Sequence, residues 1–141
     1  MPGEIRVSGL REFNRALRQI DRNAPNGVKV AGNRAAQIIV DQARPLVPVG
    51  PPAGGHARTS IRVASTRTAA RIRAGGRRFP YYPWLDFGGA VGRRDSVRRP
   101  FYKDGRYIYP TYYRNLARVQ GILRDELAAV ARSAGLRVRI G

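Results

Sequence analysis

The stretch SIRVASTRTAARIRA, residues 60–74, decides the fold that the sequence predicts. It contains two segments in which polar and apolar residues alternate, Ser60–Ser65 and Ala70–Ala74, with a polar turn around Thr66 to Thr68 between them. Alternation with a period of two is typical of β-strands, because successive side chains point to opposite faces of a sheet. The predicted hairpin has an apolar face of Ile61, Val63 and Ile72 and a basic face of Arg62, Arg71 and Arg73.

The same alternation occurs near both ends of the chain, in Glu4–Val7 and Leu136–Ile140. We therefore expect a small mixed or antiparallel sheet of about four to five strands that buries isoleucine and valine and displays arginine on its far face. This arginine face is the candidate surface for DNA in a channel or for an acidic partner. Its members are Arg6, Arg62, Arg71, Arg73, Arg137 and Arg139.

Three segments have apolar residues at helical spacing. The first extends from Leu10 to Ile20, the second from about Val28 to Ala43, and the longest from Thr111 to about Ala134, where Gly135 predicts the stop. Together with the strands they predict an α+β fold, in which the sheet packs against two N-terminal helices and one long C-terminal helix. A chain of 141 residues has the size of a single domain, so we assign residues 1–141 to one domain.

The chain is strongly basic, with 27 lysine and arginine residues against 9 aspartate and glutamate residues and a formal net charge of +18. Such a charge favours an anionic partner, either a nucleic acid or an acidic protein surface. Nearly all the basic residues are arginine, and guanidinium groups suit protein interfaces as well as phosphates. Charge alone therefore leaves both kinds of partner open.

The sequence does not predict secretion or membrane insertion. The first residues, MPGEIRVSGL, lack the basic and then apolar pattern of a signal peptide, and no apolar run is long enough to span a membrane. We therefore expect a soluble protein made in a cytoplasm. Cysteine is absent, which excludes disulfides and thiolate chemistry.

Two stretches, about 45–59 and 75–110, are rich in glycine and proline and are predicted to be irregular loops. The second contains FPYYPWLDFGG, residues 79–89, with five aromatic residues. Two interpretations stay open: a second copy of the chain covers these rings, or the rings cover the core of their own domain. The candidate interface residues are Tyr81, Tyr82, Trp84, Asp86, Phe87, Phe101, Tyr107 and Tyr109.

Catalytic chemistry is poorly represented. The single histidine, His56, lies in a glycine-rich stretch without a second histidine or a carboxylate close in sequence. The acidic residues are scattered, and a metal-dependent nuclease would have to bring Asp41, Asp86 and Asp104 together in space. We therefore expect no enzymatic activity, no cofactor and no metal site.

The order of these motifs resembles a known family. GGHARTSIRV (54–63), an aromatic segment ending in Asp86-Phe87-Gly88, and GRYIYP (105–110) before a long helix are similar to the tail-completion and minor-tail proteins of long-tailed bacteriophages, also described as head-tail joining proteins. The similarity covers most of the chain, from the first helix to the last.

The resemblance implies a structural protein of the virion neck that is assembled in the bacterial cytoplasm. Its implied partners are further copies in a ring, expected to be sixfold, together with the adjacent head connector and the tail-terminator or tail-tube proteins. DNA leaves the head through such a ring, so non-specific contact with packaged DNA is a further expectation. The resemblance implies that Asp86 accepts hydrogen bonds from an arginine of its own chain or of the next.

A different class of function remains as the alternative. A monomer could use the arginine face and exposed tyrosines to bind nucleic acid by phosphate contact and base stacking. That module would show strongly salt-dependent DNA binding without self-association, which distinguishes it from a ring protein.

Overall fold

The computed structural model describes residues 2–5, 10–20, 25–49 and 56–135. Within these ranges the chain forms α-helices and short strands, so the predicted α+β class is confirmed. The helices are α1 (Leu10–Ile20), α2 (Pro25–Ala43), α3 (Tyr82–Phe87), α4 (Ile108–Arg114) and α5 (Leu116–Ser133). The strands are β1 (Pro2–Ile5), β2 (Arg62–Val63), β3 (Ala70–Arg73), β4 (Gly89–Val91) and β5 (Val97–Arg99).

The predicted hairpin forms the larger sheet. Strand β3 lies in the middle of the order β1–β3–β2 and pairs antiparallel with both neighbours. Arg62 lies opposite Arg73 and Val63 opposite Ile72 in the register of β2 and β3. Ile72 is buried while Arg62 and Arg73 are exposed, so the apolar and basic faces are arranged as the alternation predicts.

The prediction of one sheet with four to five strands is not confirmed. In the described ranges this sheet has three strands, and β4 and β5 pair only with each other as a separate antiparallel hairpin. The second hairpin lies in the region that lacked any strand pattern, because its strands are short and rich in glycine and arginine. The predicted strand Leu136–Ile140 lies outside the described residues, as do Arg6 and Val7.

Helix α2 packs against the sheet on one side and against α4 and α5 on the other. Small side chains such as Ala35 and Ala36 let these neighbours approach closely, and Ile39 is fully buried among them. Gly32 has the same effect at the sheet, because a Cβ there would lie 2.9 Å from Ser65 Oγ. Burial of a side chain the size of Ile39 contributes about 1.5–3 kcal/mol.

The predicted long C-terminal helix is divided into α4 and α5 at Asn115, whose φ of −113° and ψ of 12° are not helical. The Asn115 Nδ2 donates to the Thr111 carbonyl at 2.8 Å and to Gln42 Oε1 at 2.8 Å, so its amide group is fixed by both α4 and α2. An asparagine side chain competes in this way with regular helix geometry. Gly135, with a φ of +89°, ends α5 as predicted.

The region predicted as one irregular loop, residues 75–110, contains α3 and the β4–β5 hairpin between irregular segments, so the prediction of a continuous irregular loop is not confirmed. Pro83 is compatible with α3 because it lies in the first turn, where a missing N–H has no consequence. In the other predicted loop, residues 45–59, short 3-10 turns occupy Arg44–Leu46 and Ala57–Ser60.

Candidate interaction surface

The buried carboxylate of Asp86 is the polar centre of the segment 79–110. Its Oδ1 accepts hydrogen bonds from the backbone N–H groups of Arg106 at 2.6 Å and Tyr107 at 3.0 Å, and its Oδ2 accepts one from the Tyr82 hydroxyl at 2.9 Å. Asp86 is 1% exposed, and bonds to an ionised acceptor are among the stronger ones in proteins. The carboxylate therefore joins the end of α3 to the start of α4. We call Tyr82, Asp86, Gly105, Arg106 and Tyr107 the Asp86 mount.

Tyr82 stays neutral in this position. Burial, and then the charge of the adjacent Asp86 carboxylate, raises the pKa of Tyr82 above its ordinary value. Since the hydroxyl keeps its proton, it can donate to the carboxylate throughout the physiological range. The pKa values of Tyr109 and Tyr112 on α4 are also raised, first by burial and then by the neighbouring Tyr113.

Two glycines allow close backbone contacts in this region, Gly105 against Asp86 and Gly88 against Pro100. Gly105 has a φ of +73°, and a Cβ there would collide with Asp86 Oδ1. Gly88 has a φ of +86°, and a Cβ there would collide with the carbonyl oxygen of Pro100. Left-handed backbone and lack of space both require glycine at these two positions.

Arginines complete the mount, although not in the way the resemblance implies. Arg106 Nη1 donates to the main-chain carbonyl of Asp86 at 3.0 Å, and Arg106 Nη2 donates to the carbonyl of Pro100. Among the described contacts, the donors to the Asp86 carboxylate are two backbone N–H groups and the Tyr82 hydroxyl, and none is a guanidinium of the same chain. Donation by an arginine of another copy stays a prediction.

The base of the β4–β5 hairpin is attached to the mount by Arg99 and Trp84. Arg99 donates to the Leu85 carbonyl at 3.2 Å and to the Tyr107 hydroxyl at 3.1 Å. Its guanidinium carbon lies 5.7 Å from the centre of the Trp84 ring, and Trp84 Nε1 donates to the Gly89 carbonyl at 3.1 Å. The hairpin is therefore fixed where its strands begin and end.

The predicted interface residues divide by burial. Tyr82, Asp86 and Tyr107 are buried within their own chain, which favours the second interpretation of the aromatic segment for these three. Trp84, Phe87 and Tyr109 are partly buried. Tyr81 and Phe101 are exposed, with 42% and 68% of their surface accessible. The second interpretation therefore applies to the three buried residues, and coverage of the exposed rings by a second copy stays a prediction.

The partly buried and exposed rings form a row on the surface. The ring centres of Phe87 and Tyr109 are 6.2 Å apart, and those of Tyr109 and Tyr113 are 6.3 Å apart and nearly parallel. The Tyr102 N–H donates to the Phe87 carbonyl at 2.8 Å, so the main chain of Phe101 and Tyr102 adjoins Phe87. The Arg106 guanidinium carbon lies 4.1 Å from the centre of the Tyr102 ring. We call Phe87, Phe101, Tyr102, Tyr109 and Tyr113 the aromatic ridge.

Tyr102 and Tyr113 are absent from the set of residues predicted from the sequence. Tyr113 is 54% exposed and Tyr102 is 52% exposed, so both are more accessible than most of the predicted residues. The spacing of four residues between Tyr109 and Tyr113 was the available signal, since residues four apart lie on one face of a helix.

The arginine face predicted on the sheet is only partly free. Arg62 Nη1 donates to the Ser60 carbonyl at 2.8 Å and to the Gly75 carbonyl at 3.3 Å, so this side chain lies along its own strand. Arg71 is partly buried, and Arg73 is exposed. Arg6, Arg137 and Arg139 lie outside the described residues.

Among the residues that the structure describes, no group of three or more histidine or acidic side chains is placed to hold a metal ion. Asp86 is occupied by the mount, and Asp41 accepts from Gln37 Nε2 at 2.8 Å. In the same ranges, none of the helices combines the length and apolar composition that a membrane crossing requires. The described surface presents aromatic rings and guanidinium groups, which are suited to binding a partner.

Comparisons with models of protein families, with curated proteins and with solved structures found no match to this chain.

Proposed function

We propose that the protein is a structural component of a bacteriophage neck, where it forms part of a ring that joins the DNA-filled head to the tail. The observation that supports this most strongly is the aromatic ridge, a group of partly buried and exposed aromatic residues beside the Asp86 mount. Aromatic residues and arginine are enriched in the buried centres of protein interfaces. A ridge of this composition is what a subunit requires in order to bind another copy of itself.

The motifs that resemble tail-completion proteins lie next to one another in the fold. Asp86-Phe87-Gly88 and the GRYIYP motif are joined through the Asp86 carboxylate, so they form one structural unit although they are separated in sequence. The third motif adjoins this unit, because Ser60 Oγ accepts from the Gly75 N–H at 2.8 Å and Gly75 lies against Tyr82. The motifs on which the resemblance rests therefore hold the aromatic ridge in place, and this supports an assembly function in the neck.

The first test is the mass of the purified protein, measured by native mass spectrometry and light scattering. We expect a closed oligomer, consistent with a sixfold ring, and we expect the double variant Phe101→Ser, Tyr113→Ser to dissociate. Val30 and Val49, also exposed apolar residues, provide the matched control Val30→Ser, Val49→Ser, which should keep the mass of the parent.

The second test uses phage particles. Particles made with the ridge variant should accumulate as filled heads and separate tails in electron micrographs. A parent protein that stays monomeric both at high concentration and inside joined particles would contradict the proposal. Monomeric protein that binds DNA tightly would instead favour a stand-alone nucleic-acid-binding module.

A further inference from the structure

The β4–β5 hairpin is a described segment whose arginines are not explained by packing of the fold. Every residue from Ala90 to Arg98 is exposed, so this part of the chain adds nothing to the core. The arginines of α1, in contrast, lie on the polar side of a helix that buries Leu17. A hairpin that projects from the domain without burying apolar surface needs another reason to be maintained.

The hairpin has three exposed arginines, Arg93, Arg94 and Arg98, and one acidic residue, Asp95. Among the described residues, the guanidinium groups of these three arginines form no hydrogen bond or ion pair. This distinguishes them from Arg62 and Arg71 on the sheet, which both interact with the chain. Within the described ranges, the hairpin therefore brings together three exposed arginines whose guanidinium groups make no such contact with the chain, whereas Arg62 of the predicted arginine face donates to two carbonyl groups.

The hairpin is also slim. Strand β4 has the sequence Gly89-Ala90-Val91, and no side chain on it is longer than valine. Strand β5 adds the arginines, with Arg98 opposite Ala90 in the register. The major groove of duplex DNA is about 12 Å wide and admits a two-stranded β-ribbon.

We propose that the hairpin binds duplex DNA, with Arg93, Arg94 and Arg98 contacting backbone phosphates. This deepens the proposed function and rests on it for the source of the DNA, namely the duplex that passes through a neck ring. Phosphate contacts position a protein without reading sequence, which suits DNA that moves through a channel. The fixed base of the hairpin, at Arg99 and Trp84, holds the tip in a defined direction while leaving it accessible.

The experiment measures binding of the full chain to a fluorescent random-sequence duplex by anisotropy over a series of salt concentrations. The variant is Arg93→Gln, Arg94→Gln, Arg98→Gln, and the control Arg11→Gln, Arg15→Gln, Arg18→Gln removes the same charge from α1. Loss of three phosphate contacts should reduce the slope of log Kd against log salt by about 2–3 and weaken binding on the order of 10- to 100-fold. The control should keep the slope of the parent, and the corresponding lysine variant of the hairpin should restore it.

Several results would overturn the proposal. Equal losses in the hairpin variant and the α1 control would show that only net charge matters, and unchanged binding by the hairpin variant would exclude the hairpin. A hairpin variant that loses affinity for poly-glutamate but keeps its affinity for DNA would assign the surface to an acidic protein instead. The mass of each variant is measured in parallel. A monomeric protein whose DNA binding requires the hairpin would refute the proposed oligomeric ring but support DNA binding by the hairpin.

Discussion

The core around α2 and the segment 79–110 are stabilised by different contacts. Around α2, apolar side chains such as Ala35 and Ile39 pack at regular helical and strand spacing. In the segment 79–110, a buried carboxylate and several arginines bind backbone groups that are distant in sequence. The first region derives its stability from many weak contacts, whereas the second depends on a few strong polar ones. Single substitutions should therefore have more concentrated effects in the second region.

The largest effect is expected for Asp86→Ala. The change leaves two buried N–H groups and the Tyr82 hydroxyl without their acceptor, and it should lower the free energy of unfolding by about 4 kcal/mol. Urea unfolding followed by circular dichroism measures this loss. Asp104→Ala, at an exposed aspartate, is the control and should stay within about 0.5 kcal/mol of the parent. A typical core truncation lowers the free energy of unfolding by about 2 kcal/mol or more. A smaller loss for Asp86→Ala would contradict the prediction that the segment 79–110 depends on this carboxylate.

A smaller effect is expected for Gly105→Ala, because the new Cβ meets Asp86 Oδ1 and the backbone has a φ of +73°. We expect a loss of about 2–3 kcal/mol in the same urea experiment. Gly121→Ala in α5 is a matched control, since nothing lies within 4 Å of the new Cβ there. The control should instead raise the free energy of unfolding by about 0.5–1 kcal/mol. A Gly105→Ala variant that is as stable as Gly121→Ala would mean that Gly105 does not limit the mount.

The smallest effect at neutral pH is expected for Tyr82→Phe, which removes one hydrogen bond to Asp86 and should cost about 1–2 kcal/mol. Its main signature lies in alkali. Because the pKa of Tyr82 is raised in the folded protein, the unfolded chain loses this proton near pH 10 while the folded chain keeps it. The contribution is complete below pH 10 and decreases as the pH rises further.

The parent should therefore lose stability above pH 10 more steeply than Tyr82→Phe, by about 1.4 kcal/mol per pH unit. Unfolding curves between pH 8 and pH 11.5 measure the difference. The variant should keep a shallower dependence, because the pKa values of Tyr109 and Tyr112 are raised as well. Parallel profiles for parent and variant would show that Tyr82 ionises in the folded state as readily as in the unfolded chain.

The contrast between the two regions explains what the sequence predicts well. The β2–β3 hairpin, α1 and α2 follow from periodicity, because each buries one apolar face and its pattern is local. The break at Asn115 does not follow, since it depends on Gln42, a residue 73 positions away. Helix α3 is also not predicted, because its prolines indicate a loop. The β4–β5 hairpin is not predicted because it lacks the apolar face that identifies a strand.

The sequence predicts most of the residues of the candidate site but not which of them are buried and which are exposed. The aromatic residues and Asp86 were recognised as unusual, but their division into a buried mount and an exposed ridge depends on hydrogen bonds between α3 and α4. Burial of Tyr82 and Tyr107, and exposure of Tyr102 and Tyr113, are decided by which side of that junction each ring occupies. No periodic pattern encodes this choice.

The Asp86 carboxylate bonds residues only 20 and 21 positions further along the chain. Closing so short a loop costs little entropy, and every partner comes from the same polypeptide. The chain can therefore arrange this segment without help from another molecule. In the oligomeric ring that we propose, a segment ordered in advance would reduce the entropy lost on association, so that subunits could assemble at a lower concentration.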